Sequence, residues 1–236
     1  MRLTRGETLT SDGQVCDARF GKCCGGITND FENCWEDKPH AYLHAVRDVV
    51  PASAEPFTID SEAAAREWIC SNPPSACNTR DRKILSTVLN DYDLETPDFY
   101  RWTVAYTQAE LHAIVTDRLG RDLGPILRLE PVERGRSGHL VKLKIVGRDA
   151  AFTVGKELEI RRTLSRSHLF SSAFVVDHEG LDAQGIPQRF VIHGAGWGHG
   201  VGLCQIGAAV MATEGHAYDE ILRHYYDGAE ITKLYD

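Results

Sequence analysis

The sequence predicts an α+β fold: a mainly antiparallel sheet with helices packed on it. Three observations carry that expectation. Short runs of β-branched and aromatic residues recur along the chain, segments with helical apolar spacing are interleaved with them, and no regular strand–helix–strand rhythm joins the two. No repeat with a period of roughly 20–50 residues is present, which excludes a solenoid or propeller.

Residues 7–20 read as a hairpin, because Ser11-Asp12-Gly13-Gln14 places a favoured Asp-Gly turn between two strand-like runs. Gly25-Gly26 breaks the chain after Cys23-Cys24, and residues 49–60, with two prolines, form an irregular connection. Residues 61–70 predict a short helix capped by Asp60 or Ser61, with Ala64, Trp68 and Ile69 as its apolar contacts. Residues 99–106 predict a strand. Thr107-Gln108-Ala109-Glu110 is a capping box leading into Leu111, Ile114, Val115 and Leu119 at helical spacing, with Gly120 or Gly124 as the stop. Strands are expected at 126–132, 140–146, 173–177 and 189–193, and helices at 155–164, 205–213 and 218–225.

Composition bounds function. With 236 residues, 42% apolar and 25% charged, the chain can build a buried core. Its 26 Lys and Arg against 34 Asp and Glu give a formal charge of -8, which argues against nucleic acid, whose binding rests on cationic contacts to phosphate. No run approaches the roughly 18 apolar residues of a spanning helix. Seven cysteines are many for a chain of this size: they predict either disulfides in an oxidising compartment or a metal site.

One segment stands apart, His193-Gly194-Ala195-Gly196-Trp197-Gly198-His199-Gly200-Val201-Gly202-Leu203-Cys204-Gln205. It has neither Gly-Lys-Ser/Thr nor any register of Gly-x-Gly-x-x-Gly, so it is not a phosphate loop. Alternating glycines allow a tight bend from which Trp197 and His199 stand out, feeding the N-terminus of an apolar helix. An indole and an imidazole in that place suit a sugar, whose ring face and hydroxyls they complement; a glycine-lined packing turn around a buried Trp fits the same spacing.

The run from Gly196 to Ala208, followed by Tyr218-Asp219-Glu220-Ile221-Leu222-Arg223-His224-Tyr225-Tyr226-Asp227-Gly228-Ala229-Glu230-Ile231, resembles the C-terminal part of the stage II sporulation protein D family, SpoIID/LytB, which includes amidase enhancers. Thr4-Arg5-Gly6 and Phe20-Gly21-Lys22-Cys23-Cys24-Gly25-Gly26-Ile27-Thr28 are similar to its second region, an extended strand meeting a Ser/Thr/Cys-Gly-Gly turn. The resemblance implies a SpoIID-like α+β domain over residues 1–236, with a groove between two lobes and sub-lobes at 1–90 and 91–236. It implies action on bacterial peptidoglycan: lytic transglycosylase chemistry on denuded glycan strands in the full-length protein, or, alternatively, a non-catalytic peptidoglycan-binding module that enhances a cell-wall amidase. It also implies an extracytoplasmic location in the envelope or periplasm, with a leader not visible in this sequence.

That chemistry needs a carboxylic acid to protonate the glycosidic oxygen. In the family it is a Glu ahead of an Ala-Gln-Ala-Val-Ala-Ala-Arg-like helix, and no such segment stands here; the expectation is a domain lacking its N-terminal catalytic helix. Glu7 and Glu32 are outside the family's context and read as solvated surface residues. The resemblance leaves His199 and Gln205 in supporting catalytic roles, with Lys22, Cys24, Gly25, Gly26, His193, Trp197 and Tyr225 on the substrate.

No cofactor is required by this reading, yet some relatives bind zinc near this region, which keeps zinc open with Cys16, Cys24 and Cys34 as ligands. Cys70 and Cys77 are expected to close a small disulfide loop around Pro73-Pro74. His40 and His44 lie one helical turn apart without a His-Glu-x-x-His pattern and read as solvent-facing.

Overall fold

In the computed structural model the described residues are 4–49, 59–91, 93 and 96–235, so most of the Pro-containing connection at 49–60 lies outside them. Strand β1 (Glu7–Ser11) turns into β2 (Gln14–Val15) through Asp12 (φ 51°) and Gly13 (φ 73°), the paired positive φ values that match a tight turn to strand twist. The second strand is shorter than expected, because the chain leaves it to form β3 (Phe20–Gly21) in another sheet.

Helix α1 (Glu62–Cys70) is capped by Ser61, whose hydroxyl accepts from the Ala64 amide, and it buries Ala65, Trp68 and Ile69. A second helix follows, α2 (Arg82–Val88), capped by Asp81. It carries little helical signal in the sequence, because it is only two turns long and buries Leu85 alone.

Next come β4 (Arg101–Thr107), α3 (Gln108–Leu119), β5 (Ile126–Arg134), β6 (Leu140–Gly147), β7 (Ala151–Val154), α4 (Glu157–Thr163), β8 (Phe174–Glu179), β9 (Arg189–Ala195), β10 (Leu203–Cys204), α5 (Gln205–Thr213), α6 (Tyr218–Tyr225) and β11 (Glu230–Lys233). At α3 both halves of the capping box are made, and Gly120 ends the helix in the left-handed region.

The α+β expectation is met. Sheets run in the orders β11-β1-β2, β4-β9-β8 and β5-β6-β7, all antiparallel; β3 and β10 form the parallel pair. Strand β11, unexpected from its half-exposed tetrapeptide, pairs antiparallel with β1 from Glu7↔Lys233 to Thr10↔Glu230. Two of the apolar cores matter for the site. One joins Leu111, Ile126, Leu143, Ile145, Phe174 and Ile192 between the β4-β9-β8 and β5-β6-β7 sheets and α3. The other draws Cys23, Cys24, Phe31, Leu43 and Cys77 against Val201, Cys204, Ile206 and Tyr225, so the glycine-rich turn lies on the N-terminal segment.

Candidate functional site

The glycine-rich turn is threaded through the fold by backbone hydrogen bonds. Gly196 N donates to the Tyr100 carbonyl (3.1 Å), Trp197 and Cys23 exchange both bonds (2.7 and 3.2 Å), Gly198 N donates to Phe170 (2.8 Å) and Leu203 N to Arg19 (3.1 Å). Two glycines are obligatory. A Cβ at Gly202 (φ 71°) would stand 2.1 Å from the Arg19 carbonyl oxygen, and one at Gly194 would stand 2.0 Å from the Trp102 ring.

The bend presents Trp197 as anticipated. Its half-buried indole lies on Phe170 (centroids 4.0 Å, 32°) and Phe99 (4.9 Å); Trp102 meets Phe170 edge-on at 5.3 Å and donates its Nε1–H to the Gly196 carbonyl. Trp197, Phe170 and Trp102 floor a cavity of about 490 Å³, whose polar wall is Arg80, Thr96, Asp98, Arg101 and Thr103. A larger cavity of about 680 Å³ shares Arg80, Asp98 and Arg101 and continues past Asn72 and Asn78. Arg101 is fixed: its guanidinium donates to the Ser71, Gly25, Tyr100 and Trp68 carbonyls. An aromatic floor beside amide and guanidinium groups can take a ring with one apolar face and hydroxylated edges.

Lys22 sits at the margin, its ammonium 5.7 Å from the Trp197 ring and 2.5 Å from the buried Asp93 carboxylate. His193, on β9 opposite Thr103, is half-exposed and bonded to Thr103 Oγ1 (3.3 Å) and Asp177 (3.2 Å). Lys22, His193 and Trp197 are thus accessible around this region.

The remaining expected site residues sit differently. His199 is turned inward: its Nδ1 accepts from Val201 N–H (3.0 Å), the Phe20 carbonyl engages the ring as well, and its edge meets Trp35 at 5.0 Å. Burial, reinforced by Arg161, pushes its pKa down to about 4, so it is a neutral clasp between the turn and β3 at physiological pH. Gln205 is half-buried at the first position of α5. Tyr225 does not face a groove; it is 1% exposed and donates to Asp48. Gly25 and Gly26 are buried beneath Ala195 and Tyr100, and Cys24 is buried too, so they shape the wall from behind.

The cysteine expectations need correction. Cys70 and Cys77 are both free: Cys70 ends α1 facing solvent, while Cys77 points into the core, 3.7 Å from Cys24 Sγ. Cys16, Cys24 and Cys34 do not gather. Cys16 packs by the hairpin, where the Cys16 amide bonds the Leu9 carbonyl, and Cys34 lies against Asn29 and the His199 carbonyl. Instead Cys24 meets Asp48, Cys77 and Cys204 in one buried cluster that could hold a metal ion. The cluster leaves no motif in the sequence, because its members come from four distant segments with no short spacing.

Of the other candidates, Glu7 accepts from the exposed Tyr218 hydroxyl, and the Glu32 carbonyl accepts from Lys156. His40 meets Phe31 edge-on at 4.5 Å, and His44 bonds the Ala41 carbonyl, so both are half-buried rather than solvent-facing.

Residues 29–202 match a family model described as "Domain of unknown function (DUF8618)". The chain is 28% identical over 149 residues to the stage II sporulation protein D of Bacillus subtilis (strain 168), covering 63% of this chain and 38% of that protein. It is 34% identical over 235 residues to the amidase enhancer of the same organism, covering 97% of this chain and 31% of the relative. The chain belongs to the DUF8618 family and to SpoIID/LytB. An uncharacterized protein of Brachyspira hyodysenteriae is 34% identical over 228 residues, 97% of this chain and 46% of that one. The chain thus spans under half the length of each of these relatives.

Proposed function

We propose that this chain is a peptidoglycan-directed domain that lays a glycan strand along the aromatic-floored cavity, outside the cytoplasm. In this reading Trp197 and Phe170 meet a sugar face while Lys22, His193 and Asp98 reach its polar edges. Lytic transglycosylase activity belongs to the full-length protein. The observation that carries the reading is the indole of Trp197, held at the cavity by the same glycine-rich turn that carries the family resemblance. His199 supports it by fixing that turn, and Gln205 by opening the helix behind it.

Pelleting with insoluble peptidoglycan stripped of stem peptides tests the proposal. The chain is expected to co-sediment, and Trp197→Ala to bind roughly tenfold more weakly, a loss of about 1.4 kcal/mol. Absence of co-sedimentation by the folded wild-type chain would overturn it. The full-length protein is expected to release anhydro-muramyl products from the same glycan.

A second reading, a non-catalytic enhancer of a cell-wall amidase, is favoured by the alignment with the amidase enhancer over 97% of this chain. A faster amidase on adding the chain, with no anhydro-muramyl product from the full-length protein, would select it.

A further inference from the structure

We infer that Cys24, Asp48, Cys77 and Cys204 form a structural zinc site behind the glycan-facing turn. The inference rests on the cluster's geometry and stands whether or not the chain binds glycan. One donor atom from each residue lies within 4.8 Å of all the others, and the residues are 3%, 0%, 0% and 2% exposed. Cys24 Sγ and Cys77 Sγ are 3.7 Å apart. That is far outside a disulfide bond of about 2.05 Å. It matches the edge of a tetrahedron around zinc, roughly 3.8 Å when each Zn–S bond is about 2.3 Å.

The donor set selects the ion. Three thiolates and one carboxylate suit borderline-soft zinc, whereas magnesium and calcium require oxygen ligands. A single ion fits between atoms this close, but an iron–sulfur cluster does not. Four protein donors complete a tetrahedral shell with no position left for water or substrate, the arrangement of a structural rather than a catalytic site.

The surroundings orient the ligands as a metal shell requires. Asp48 Oδ1 accepts from Tyr225 Oη (2.5 Å), while Oδ2 accepts from Cys77 N (2.8 Å) and Ser75 Oγ (3.1 Å). These donors are neutral, so they fix the carboxylate without balancing its charge. Cys204 Sγ accepts the Cys24 amide at 3.3 Å, a bond that favours the thiolate. Helix α5 makes room with Gly207, where a Cβ would fall 2.3 Å from Tyr225 Oη and 2.5 Å from Asp48 Oδ1. Zinc here would tie together the Cys-Gly-Gly turn, the segment after His44, the α1–α2 loop and the start of α5.

Elemental analysis of the chain purified under reducing conditions is expected to give about one zinc per molecule. Replacing zinc by cobalt(II) should give thiolate-to-cobalt charge-transfer and tetrahedral d–d bands in the wild-type chain, a readout that needs no variant. Cys77→Ser and Cys204→Ser should lose most of the metal, and Asp48→Asn should hold it at least tenfold more weakly; Cys70→Ser should keep it. Cys23, also buried, touches the Cys204 and Cys77 thiols and is the control for ligand identity. Metal loss in Cys23→Ser with full retention in Asp48→Asn would overturn the assignment. So would a zinc content near zero after incubation with zinc, or a Cys24–Cys77 disulfide in the natively purified protein.

Discussion

The hydroxyl of Tyr225 donates to Asp48 Oδ1 across 2.5 Å, tying α6 to a segment 177 residues earlier in the chain. Both partners are essentially fully buried, Tyr225 at 1% and Asp48 at 0%. Deleting one partner of such a bond leaves the other desolvated and unsatisfied, which costs about 1–3 kcal/mol and more beside a charge. Tyr225→Phe keeps the ring and its packing but removes the donor. It is expected to lower the unfolding free energy by that amount, read as a lower urea midpoint at an unchanged m-value. It is also expected to weaken zinc retention roughly tenfold, as loss of an outer-shell partner does. An unchanged midpoint would show that the carboxylate does not depend on this hydroxyl.

Gly207 sets two physical effects against each other. Glycine inside a helix is worth about 1 kcal/mol less than alanine, so Gly207→Ala should stabilise α5 on propensity alone. The added methyl would instead stand 2.3 Å from Tyr225 Oη and 2.5 Å from Asp48 Oδ1, and both atoms are held by their mutual bond. Overpacking of this kind costs about 1–3 kcal/mol, and the clash exceeds the propensity gain. The variant should unfold at lower urea than wild type; greater stability would show that the Asp48–Tyr225 pair can move aside.

Local signals were legible in the sequence; distant convergence was not. The Thr107–Glu110 capping box, the Asp12-Gly13 turn and the limits of α5 and α6 each depend on residues a few positions apart, and each is found as read; of the two glycines offered as the stop of α3, Gly120 fills it. The Trp197 bend was legible for the same reason. Strands β7, β10 and β11 have at most four residues, too few to show a period, and they exist through pairing with β6, β3 and β1. The cysteines misled because spacing was the guide. Cys70 and Cys77 are near in sequence, but α1 ends with Cys70 facing outward, while the loop after Pro73-Pro74 carries Cys77 inward to Cys24. Two signals could have pointed to the true cluster: a glycine at 207 inside an otherwise apolar helix, and a cysteine directly before that helix.

His139 gives the fold an acid limit. It is 1% exposed, and burial, with the nearby charges of Arg161 and Arg134, pushes its pKa down to about 3. Its hydrogen bonds agree with a neutral ring. Ser137 Oγ donates to Asn29 Oδ1 (2.8 Å), so at 3.1 Å it must accept from His139 Nδ1–H. In the unfolded chain this imidazole titrates near 6.5, so below that pH the unfolded state binds more protons and stability falls with acidification. The contribution is fully present above about pH 6.5 and is lost progressively toward pH 3. At about 1.4 kcal/mol per pH unit, His139 alone removes roughly 2 kcal/mol between pH 6.5 and 5. His199, held down to about 4, adds to the same slope. Urea titrations at pH 7, 6 and 5 should show the midpoint falling, and His139→Gln should flatten the trend.

Arg161 and Glu157 form an ion pair of 2.8 Å inside the molecule, with side chains 7% and 4% exposed. The guanidinium also donates from Nε to the Leu169 carbonyl, and Leu169 N returns a bond to the Arg161 carbonyl, so α4 grips the segment that carries Phe170 to the floor of the cavity. Breaking a buried pair strands a charge and costs about 3–5 kcal/mol, while replacing both members with apolar residues of similar volume is often nearly neutral. Glu157→Leu should therefore destabilise by several kcal/mol. The double variant Glu157→Leu, Arg161→Met should recover most of that loss in urea unfolding. Stability and binding separate at this point, because the double variant lacks the Nε donor that holds Leu169. It is expected to fold yet co-sediment with denuded glycan less well than wild type. Equal binding by the two would show that Phe170 is held by its contacts with Trp197 and Trp102 alone.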